Sequence, residues 1–219
     1  IKEVFFLIHL ENISKVFKVA TRKASTKDVL KSFFKKEYKE VRALDNISLD
    51  IKEGEIVGYI GPNGAGKSTT IKIMCGILVP TSGECIINGK VPYKQRKEYV
   101  KDIGVVFGQR SQLWWDVPPD DSFYLLKDIY KIPTKEFEET RQKLINALDL
   151  SQIIHVPTRQ LSLGQRMRCE IAASLLHRPK ILFLDEPTIG LDAVSKIAVR
   201  RFIKELNHNE GTTVILTTH

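Results

Sequence analysis

Apolar and polar residues alternate in the first part of the chain, and this pattern predicts β-strands. The strands are expected at residues 10–19, 43–51 and 55–60, with the turn Lys52-Glu53-Gly54 between the second and the third. Residues 27–39 instead space their apolar side chains for one face of a short helix. We interpret this helix as part of an insertion between the first two strands.

The rest of the chain alternates between predicted helices and predicted strands. A helix is expected from about Lys67, and a mostly helical stretch is expected at 121–150, bracketed by prolines. The remaining elements are a strand pair around 83–89, strands at 103–107, 181–185 and 212–217, and helices at 163–177 and 193–208. This order predicts an α/β fold with a mainly parallel central sheet, a small antiparallel β portion and a helical subdomain at about 110–165.

At 219 residues the chain is long enough for one domain with a sizeable core. The apolar run at residues 4–8 is far shorter than the roughly 18 to 20 residues that span a bilayer, and no cleavable signal pattern follows it. We therefore expect any membrane role to come through a partner. Cys75, Cys85 and Cys169 lack neighbouring Cys or His, which argues against disulfides or zinc and favours the reducing cytosol.

The net charge of +8 is concentrated near the start of the chain. Residues 18–42 contain nine Lys or Arg residues and three acidic residues, and we call them the basic insertion. A basic surface can attract nucleic acid or anionic lipid head groups. The alternative is an amphipathic segment whose surplus lysines are simply solvated.

A glycine-rich sequence follows the strand predicted at 55–60 and matches the phosphate-binding pattern G-x-x-x-x-G-K-[ST]. Its glycines let backbone N–H groups approach phosphate oxygens at the start of a helix. Lys67 is expected to reach the β and γ phosphates, Ser68 to ligate Mg²⁺, and Thr69 to contact the α phosphate. The alternative is a turn that merely joins strand to helix. The motif consists of Gly61, Pro62, Asn63, Gly64, Ala65, Gly66, Lys67 and Ser68.

Two acidic residues, Asp185 and Glu186, follow the apolar run at 181–184. A buried strand that ends in acids places carboxylates at the sheet edge where a nucleotide sits. Asp185 is expected to hold Mg²⁺ through its coordinated water, and Glu186 to orient or deprotonate the attacking water. Alternatively, the pair only caps the next turn.

The pentapeptide Leu161-Ser162-Leu163-Gly164-Gln165 resembles the signature sequence of ABC ATPases, with Leu163 where the familiar form has glycine. The motifs follow one another as in the ATP-binding subunits of ABC transporters, from about residue 10 onward. The resemblance implies a P-loop NTPase core that hydrolyses ATP with Mg²⁺ as a head-to-tail homodimer or a pair with a related cassette. It also implies a transmembrane permease subunit on a separate chain, a position on the cytoplasmic face of the membrane, and further elements beyond His219.

The resemblance assigns further roles. Gln109 is expected to sense Mg²⁺ and the γ phosphate, with Gln112 as a nearby competitor, and His219 is expected to contact the γ phosphate. Asp192, after Gly190-Leu191, is expected to cross the dimer interface. The residues expected to close the site of the opposite chain are Ser162, Gly164 and Gln165.

Aromatic residues supply two further hypotheses. Phe17 is expected to stack on adenine, since a flat apolar face binds a purine; the alternative is a core residue. Trp114 and Trp115 either contact the membrane subunit or pack in the helical subdomain. Their neighbouring sequence, with the signature, resembles the exporter-type branch that handles drugs, antibiotics or surface polymers.

Two other classes of protein are alternatives. A soluble ABC-type ATPase acting on nucleic acid or the ribosome would use the basic insertion as a contact. Chromosome proteins of that class carry a long coiled coil between phosphate loop and signature, whereas only 95 positions separate Lys67 from Ser162. Ribosome factors usually carry two cassettes. A nucleotide kinase would leave the signature unexplained, so nucleic acid is the less favoured partner.

Overall fold

The computed structural model describes residues 6–20, 38–108 and 110–218, and all structural statements below concern these residues. The strands are β1 (Ile8–Ala20), β2 (Tyr38–Ile51), β3 (Ile56–Ile60), β4 (Ser82–Ile87), β5 (Ile103–Phe107), β6 (Ile181–Asp185) and β7 (Thr213–Thr218). The helices are α1 (Lys67–Met74), α2 (Arg96–Tyr99), α3 (Pro119–Tyr130), α4 (Thr134–Ala147), α5 (Leu163–Leu175) and α6 (Ala193–Glu210), with a 3₁₀ turn at Thr158–Gln160.

The central sheet is parallel and has the strand order β3-β7-β6-β5. Its strand β6 is apolar from Ile181 to Leu184, and these four side chains are completely buried. A strand covered on both faces needs such a continuous apolar run. The predicted α/β fold with a mainly parallel central sheet is confirmed by this arrangement.

Alternating side chains of the central sheet enter two separate cores, as the two-residue period of a strand requires. One set packs with α3, α4, α5 and α6, and the other packs with α1 and the antiparallel sheet. The first set includes Leu182, Leu184 and Val214, and the second includes Ile181, Phe183 and Ile215.

The antiparallel sheet has the order β2-β1-β4 and corrects two local predictions. The predicted strand pair around 83–89 is the single strand β4, which pairs with β1 and ends in a short turn. The helix predicted at 27–39 is wrong at its end, because Tyr38 and Lys39 pair with Ala20 and Val19 as β-strand. Residues 21–37 of the basic insertion lie outside the described residues.

The stretch predicted to be helical contains two helices, α3 and α4. The break between them falls at residues 131–133, where Lys131 has a left-handed φ of 54° and Pro133 precedes α4. Proline has no N–H to donate and disfavours helical geometry in the residue before it, so the first helix ends here. Among the described residues, no helix is both long and apolar enough to cross a membrane.

Gly104 tests how closely α5 must approach the central sheet. A Cβ at this position in β5 would lie 2.5 Å from the Ser174 carbonyl oxygen of α5. We expect Gly104→Ala to lower the free energy of unfolding by about 1–3 kcal/mol, because backbone must shift to relieve the overlap. The matched control is Gly58→Ala in β3, where a Cβ would meet only Ile60 at 4.0 Å. Urea denaturation measures both, and equal stabilities would contradict this packing argument.

Candidate functional site

The glycine-rich loop leads from β3 into α1 and holds the side chain of Lys67. Lys67 is 5% exposed, and its Nζ donates hydrogen bonds to the carbonyl oxygens of Gly61 at 2.6 Å and Pro62 at 3.0 Å. Gly66 precedes the helix with a left-handed φ of 87°. Glycine adopts this conformation readily because it has no Cβ, whereas residues with a side chain disfavour it. The loop therefore presents an ammonium group beside the start of a helix, which is where anions bind.

The antiparallel sheet packs against this loop. A Cβ on Gly66 would lie 2.6 Å from the carbonyl oxygen of Ala43 and would also overlap the Leu44 side chain. Phe17 lies opposite Val41, close to this contact in the β1–β2 register, and is half-buried. The Nζ of Lys15 lies 5.2 Å from the Phe17 ring centroid, a cation–π arrangement. The role of Phe17 with adenine stays a prediction.

The carboxylate of Asp185 joins three parts of the chain. Its Oδ1 accepts hydrogen bonds from the Ser68 hydroxyl at 3.0 Å and from the Thr217 hydroxyl at 2.7 Å. Asp185 and Thr217 are direct neighbours in the β6–β7 register. Ser68 and Asp185 thus lie together although 117 positions separate them.

Thr217 is a residue of the site that sequence reasoning missed. Besides donating to Asp185, its hydroxyl accepts a hydrogen bond from the Glu186 backbone N–H at 2.9 Å. The signal was a hydroxyl residue at the carboxyl end of a buried parallel strand, where site residues gather in such sheets.

The backbone at Glu186 is constrained on two sides. Glu186 has a left-handed φ of 56°, which is uncommon for a residue other than glycine and must be held by its surroundings. On one side the Glu186 N–H donates to the Thr217 hydroxyl. On the other side lies Gly108, whose N–H donates to the preceding carbonyl oxygen, that of Asp185, at 2.9 Å. A Cβ on Gly108 would lie 2.8 Å from the Glu186 carbonyl oxygen, so this approach requires glycine.

The signature-like pentapeptide begins α5 with a capping box. The Ser162 hydroxyl accepts from the Gln165 N–H at 3.2 Å, and the Gln165 side chain accepts from the Ser162 N–H at 2.8 Å. Leu163, the departure from the usual signature, packs inside its own chain, since its Cδ2 would lie 2.9 Å from a Cβ on Gly190. Ser162 and Gln165 therefore cap α5 within this chain, independently of any role with a nucleotide.

Gly164 and Asp192 meet where α5 and α6 begin. A Cβ on Gly164 would lie 2.9 Å from the Ser195 Cβ and would overlap its hydroxyl, so packing within the chain already requires glycine here. Asp192 caps α6 by accepting from the Ser195 N–H at 2.9 Å and hydroxyl at 2.6 Å. These hydrogen bonds lower the pKa of Asp192, which is exposed and charged at neutral pH.

The two candidate glutamines differ in what the structure says of them. Gln112 donates from its side-chain amide to the Glu170 carbonyl oxygen at 2.9 Å and is therefore engaged with α5. Gln109 and His219 lie outside the described residues, so their roles stay predictions. The Gln112 alternative stays a prediction as well.

The oxygen atoms near the phosphate loop suit Mg²⁺ bound together with phosphates. Ser68 and Asp185 supply a hydroxyl and a carboxylate, which are the hard ligands that Mg²⁺ prefers. In the described part of the chain, no cluster of three or more His, Cys, Asp or Glu residues could hold a metal alone. Mg²⁺ in nucleotide sites usually takes its remaining ligands from substrate phosphates and water.

A protein-family model described as ABC transporter matches residues 44–189, which include the phosphate loop, the signature and the acid pair. The chain belongs to the ABC transporter family. The predictions of an ABC ATP-binding domain, of ATP as its ligand and of ATP hydrolysis as its enzyme class are confirmed.

Relatives of this ABC cassette cover several transporter types. YbhF of Escherichia coli, named a probable multidrug ABC transporter ATP-binding protein, is 36% identical over 186 residues, or 84% of this chain and 32% of that protein. ABC transporter G family member 20 of Dictyostelium discoideum is 36% identical over 83% of this chain and 25% of its own length. The methionine import ATP-binding protein MetN of Geobacillus kaustophilus is 32% identical over 97% of this chain and 58% of its own length.

Solved cassettes have the same fold. The ATP-binding cassette MJ0796, described as a dimer bound to ADP and Pi, superposes with a TM-score of 0.77 and 29% identity, over 97% of this chain and 88% of its own. CbiO1 of Clostridium perfringens is described as part of the transporter complex cbiONQ. It superposes with a TM-score of 0.77 and 28% sequence identity, over 98% of this chain and 78% of its own. These comparisons give no support to the nucleic-acid alternative. The ABC cassette spans less than two thirds of the curated relatives named above.

Thr217 allows a direct test of the Asp185 contact. We expect Thr217→Val, which keeps the side-chain shape, to lower kcat for ATP hydrolysis about tenfold, because hydrogen bonds to Asp185 and Glu186 are lost. ATP binding should change little, since the contacts of Lys67 remain.

The matched control for Thr217→Val is Thr213→Val in the same strand. Its hydroxyl is equally buried and accepts from the Gly54 N–H at 2.8 Å, away from the acids. Steady-state kinetics and thermal unfolding of both variants separate the two effects. Equal kcat values for the two variants would remove Thr217 from the site.

Proposed function

We propose that this cassette hydrolyses ATP to drive a membrane subunit carried on a separate chain, at the cytoplasmic face of a membrane. The observation that carries the proposal is the contact of Asp185 with both Ser68 and Thr217, which joins the phosphate loop to the acid pair. That arrangement unites phosphate-binding groups and acids at one sheet edge, as nucleotide hydrolysis needs.

Each residue of the site has a proposed part in hydrolysis. Lys67 and the N–H groups of the phosphate loop bind and stabilise the phosphates. Ser68 and Asp185 hold Mg²⁺, which when bound neutralises phosphate charge. Glu186 orients the attacking water and accepts its proton, in a position fixed by Thr217 and Gly108. Gln109 and His219 complete this set by family resemblance.

We also propose that a second cassette completes each ATP site. Ser162 lies exposed at the start of α5, and the charged Asp192 lies exposed at the start of the neighbouring α6. Both helices begin with polar groups that suit contact with phosphate or with a facing chain. The description of MJ0796 as a dimer supports this arrangement. Ser162, Gly164 and Gln165 then act on the ATP held by the opposite chain.

The membrane subunit is proposed to contact Trp114 and Trp115. Their side chains are 59% and 53% exposed, so neither is a core residue of the helical subdomain. The Arg166 guanidinium of α5 lies over the Trp115 ring, with its carbon 5.5 Å from the ring centroid, a cation–π arrangement. Exposed aromatic residues are favoured anchors at protein interfaces.

The direction of transport is proposed to be export, with drug-like or polymeric cargo. The multidrug name of YbhF and the Leu-Ser-Leu-Gly-Gln signature favour export, whereas the import name of MetN favours the alternative. ATP-dependent accumulation of cargo inside inverted membrane vesicles is the expected result for export. Cargo lost from such vesicles on ATP addition would indicate import.

The described ends of the basic insertion support a proposed contact with anionic lipid. Lys18, Lys39 and Arg42 lie exposed on the paired arms of β1 and β2, where Lys18 also lies 3.9 Å from Glu40 and Arg42 pairs with Asp45 at 3.0 Å. Cations on an exposed hairpin favour a negatively charged surface, and that attraction weakens with salt. Vesicle binding that does not depend on salt would contradict this role.

Glu186 is the residue whose replacement separates ATP binding from hydrolysis. We expect Glu186→Gln to abolish turnover while ATP binding persists, because an amide fills the same space but accepts no proton. ATP should then hold the chains together as dimers. Turnover assays and size-exclusion chromatography with ATP measure both effects.

The control variant is Glu53→Gln in the exposed turn before β3, which should retain normal turnover. Wild-type turnover by Glu186→Gln would show that Glu186 is not the base, and the proposed mechanism would be wrong.

A further inference from the structure

The segment that follows β5 is attached to two different parts of the molecule. At its start, Gly108 bonds to the Asp185 backbone and contacts Glu186. Three residues later, Ser111 and Gln112 bond to Glu170, in the third turn of the signature helix α5. The segment therefore connects the acidic end of β6 to the helix that Ser162 begins.

Glu170 makes the second attachment with its carboxylate. One carboxylate oxygen accepts from the Ser111 hydroxyl, and the other accepts from the Gln112 N–H at 3.2 Å. The Gln112 side chain returns a hydrogen bond to the Glu170 carbonyl oxygen at 2.9 Å. Side chain and backbone of one helical residue thus hold the same short segment, which fixes both its distance and its orientation.

Burial makes a carboxylate at this position unusual. Glu170 is 4% exposed and lies between Cys169 and Ile171, which are completely buried. Burial raises the pKa of Glu170, whereas Ser111, the N–H groups of Gln112 and Leu113 and the charge of Arg166 favour the ionised form. A buried carboxylate is costly unless such donors satisfy it. Packing alone would be served better by an apolar side chain.

The same face of α5 lines a cavity between the helix and the segment. Leu163, Met167 and Glu170 recur at helical spacing, so they share one face. They bound a cavity of about 180 Å³ whose other wall includes Phe107, Arg110, Ser111 and Trp115. Side-chain packing between the helix and the segment is incomplete beside Glu170, so its polar contacts join the two elements there.

We propose that Glu170 is a positioning residue, which holds residues 110–113 against α5 and so aligns the end of the central sheet with the signature helix. The inference rests on the proposed function, because it concerns how the site for hydrolysis is aligned. Glu170 acts through Ser111 and Gln112. Its effect is expected on the chemical step, because that step depends on alignment within about 1 Å.

Glu170→Gln, Ser111→Ala and the double variant test this proposal in the full-length protein. The amide introduced by Glu170→Gln places an NH₂ donor among groups that donate, so the attachment weakens with almost no change in volume. We expect Glu170→Gln and Ser111→Ala each to lower kcat by about tenfold at an ATP Kd within about twofold of wild type. The double variant should be no slower than Glu170→Gln alone, because both changes break one attachment.

The control for a merely structural role is Ser174→Ala. Ser174 lies in the same helix, is buried, and donates to the Ile171 carbonyl at 2.8 Å, so its loss affects α5 but not the segment. We expect Ser174→Ala to leave kcat unchanged, whatever its effect on Tm, because it touches neither the segment nor the acid pair. Measurements of kcat, ATP Kd and Tm are needed for all four variants.

Three outcomes would overturn the proposal. The first is a wild-type kcat for Glu170→Gln, and the second is a fall in its kcat no larger than that of Ser174→Ala. The third is a double variant whose fall in kcat equals the product of the falls caused by Ser111→Ala and Glu170→Gln. The proposed function fails on a different result, wild-type turnover by Glu186→Gln, so the same assay distinguishes the two failures.

Discussion

The carboxylate of Asp185 accepts hydrogen bonds from the hydroxyl groups of Ser68 and Thr217. The position of the phosphate loop relative to the central sheet depends on this contact. The contact requires β6 and β7 to be parallel and in register, because only then do Asp185 and Thr217 end side by side. It also requires a buried apolar strand that ends abruptly in an acid. A charged group is tolerated at this edge since hydroxyl donors satisfy it.

Several close approaches carry this alignment to the signature helix. Gly108 contacts the backbone of the acid pair, Leu163 contacts Gly190, and Gly164 contacts Ser195. Each approach leaves no room for an added Cβ, so the elements are placed by close contact at glycine. Packed elements of this kind move as units and deform little. The phosphate loop, the acid pair and the signature helix are therefore joined by a continuous series of close contacts.

Local patterns predicted most of the elements, because strand and helix periods and the phosphate loop are encoded in short stretches. The prediction failed where distant pairing decided the outcome: Tyr38 and Lys39 fit a helical pattern, yet pairing with β1 makes them strand. Thr217 and Glu170 were missed for a related reason. A threonine in a strand and a glutamate in a helix are ordinary in sequence, and only the register and the packing reveal their partners.

We propose that ATP held by the phosphate loop of one chain is closed in by the signature helix of another. Mixing Lys67→Ala with Ser162→Arg, each inactive alone, and measuring ATP hydrolysis tests this shared site directly. A mixed dimer contains one site with both residues intact, so hydrolysis should reappear on mixing while Ser162→Arg alone still binds ATP. Loss of ATP binding by monomeric Ser162→Arg, with no hydrolysis recovered on mixing, would contradict the claim.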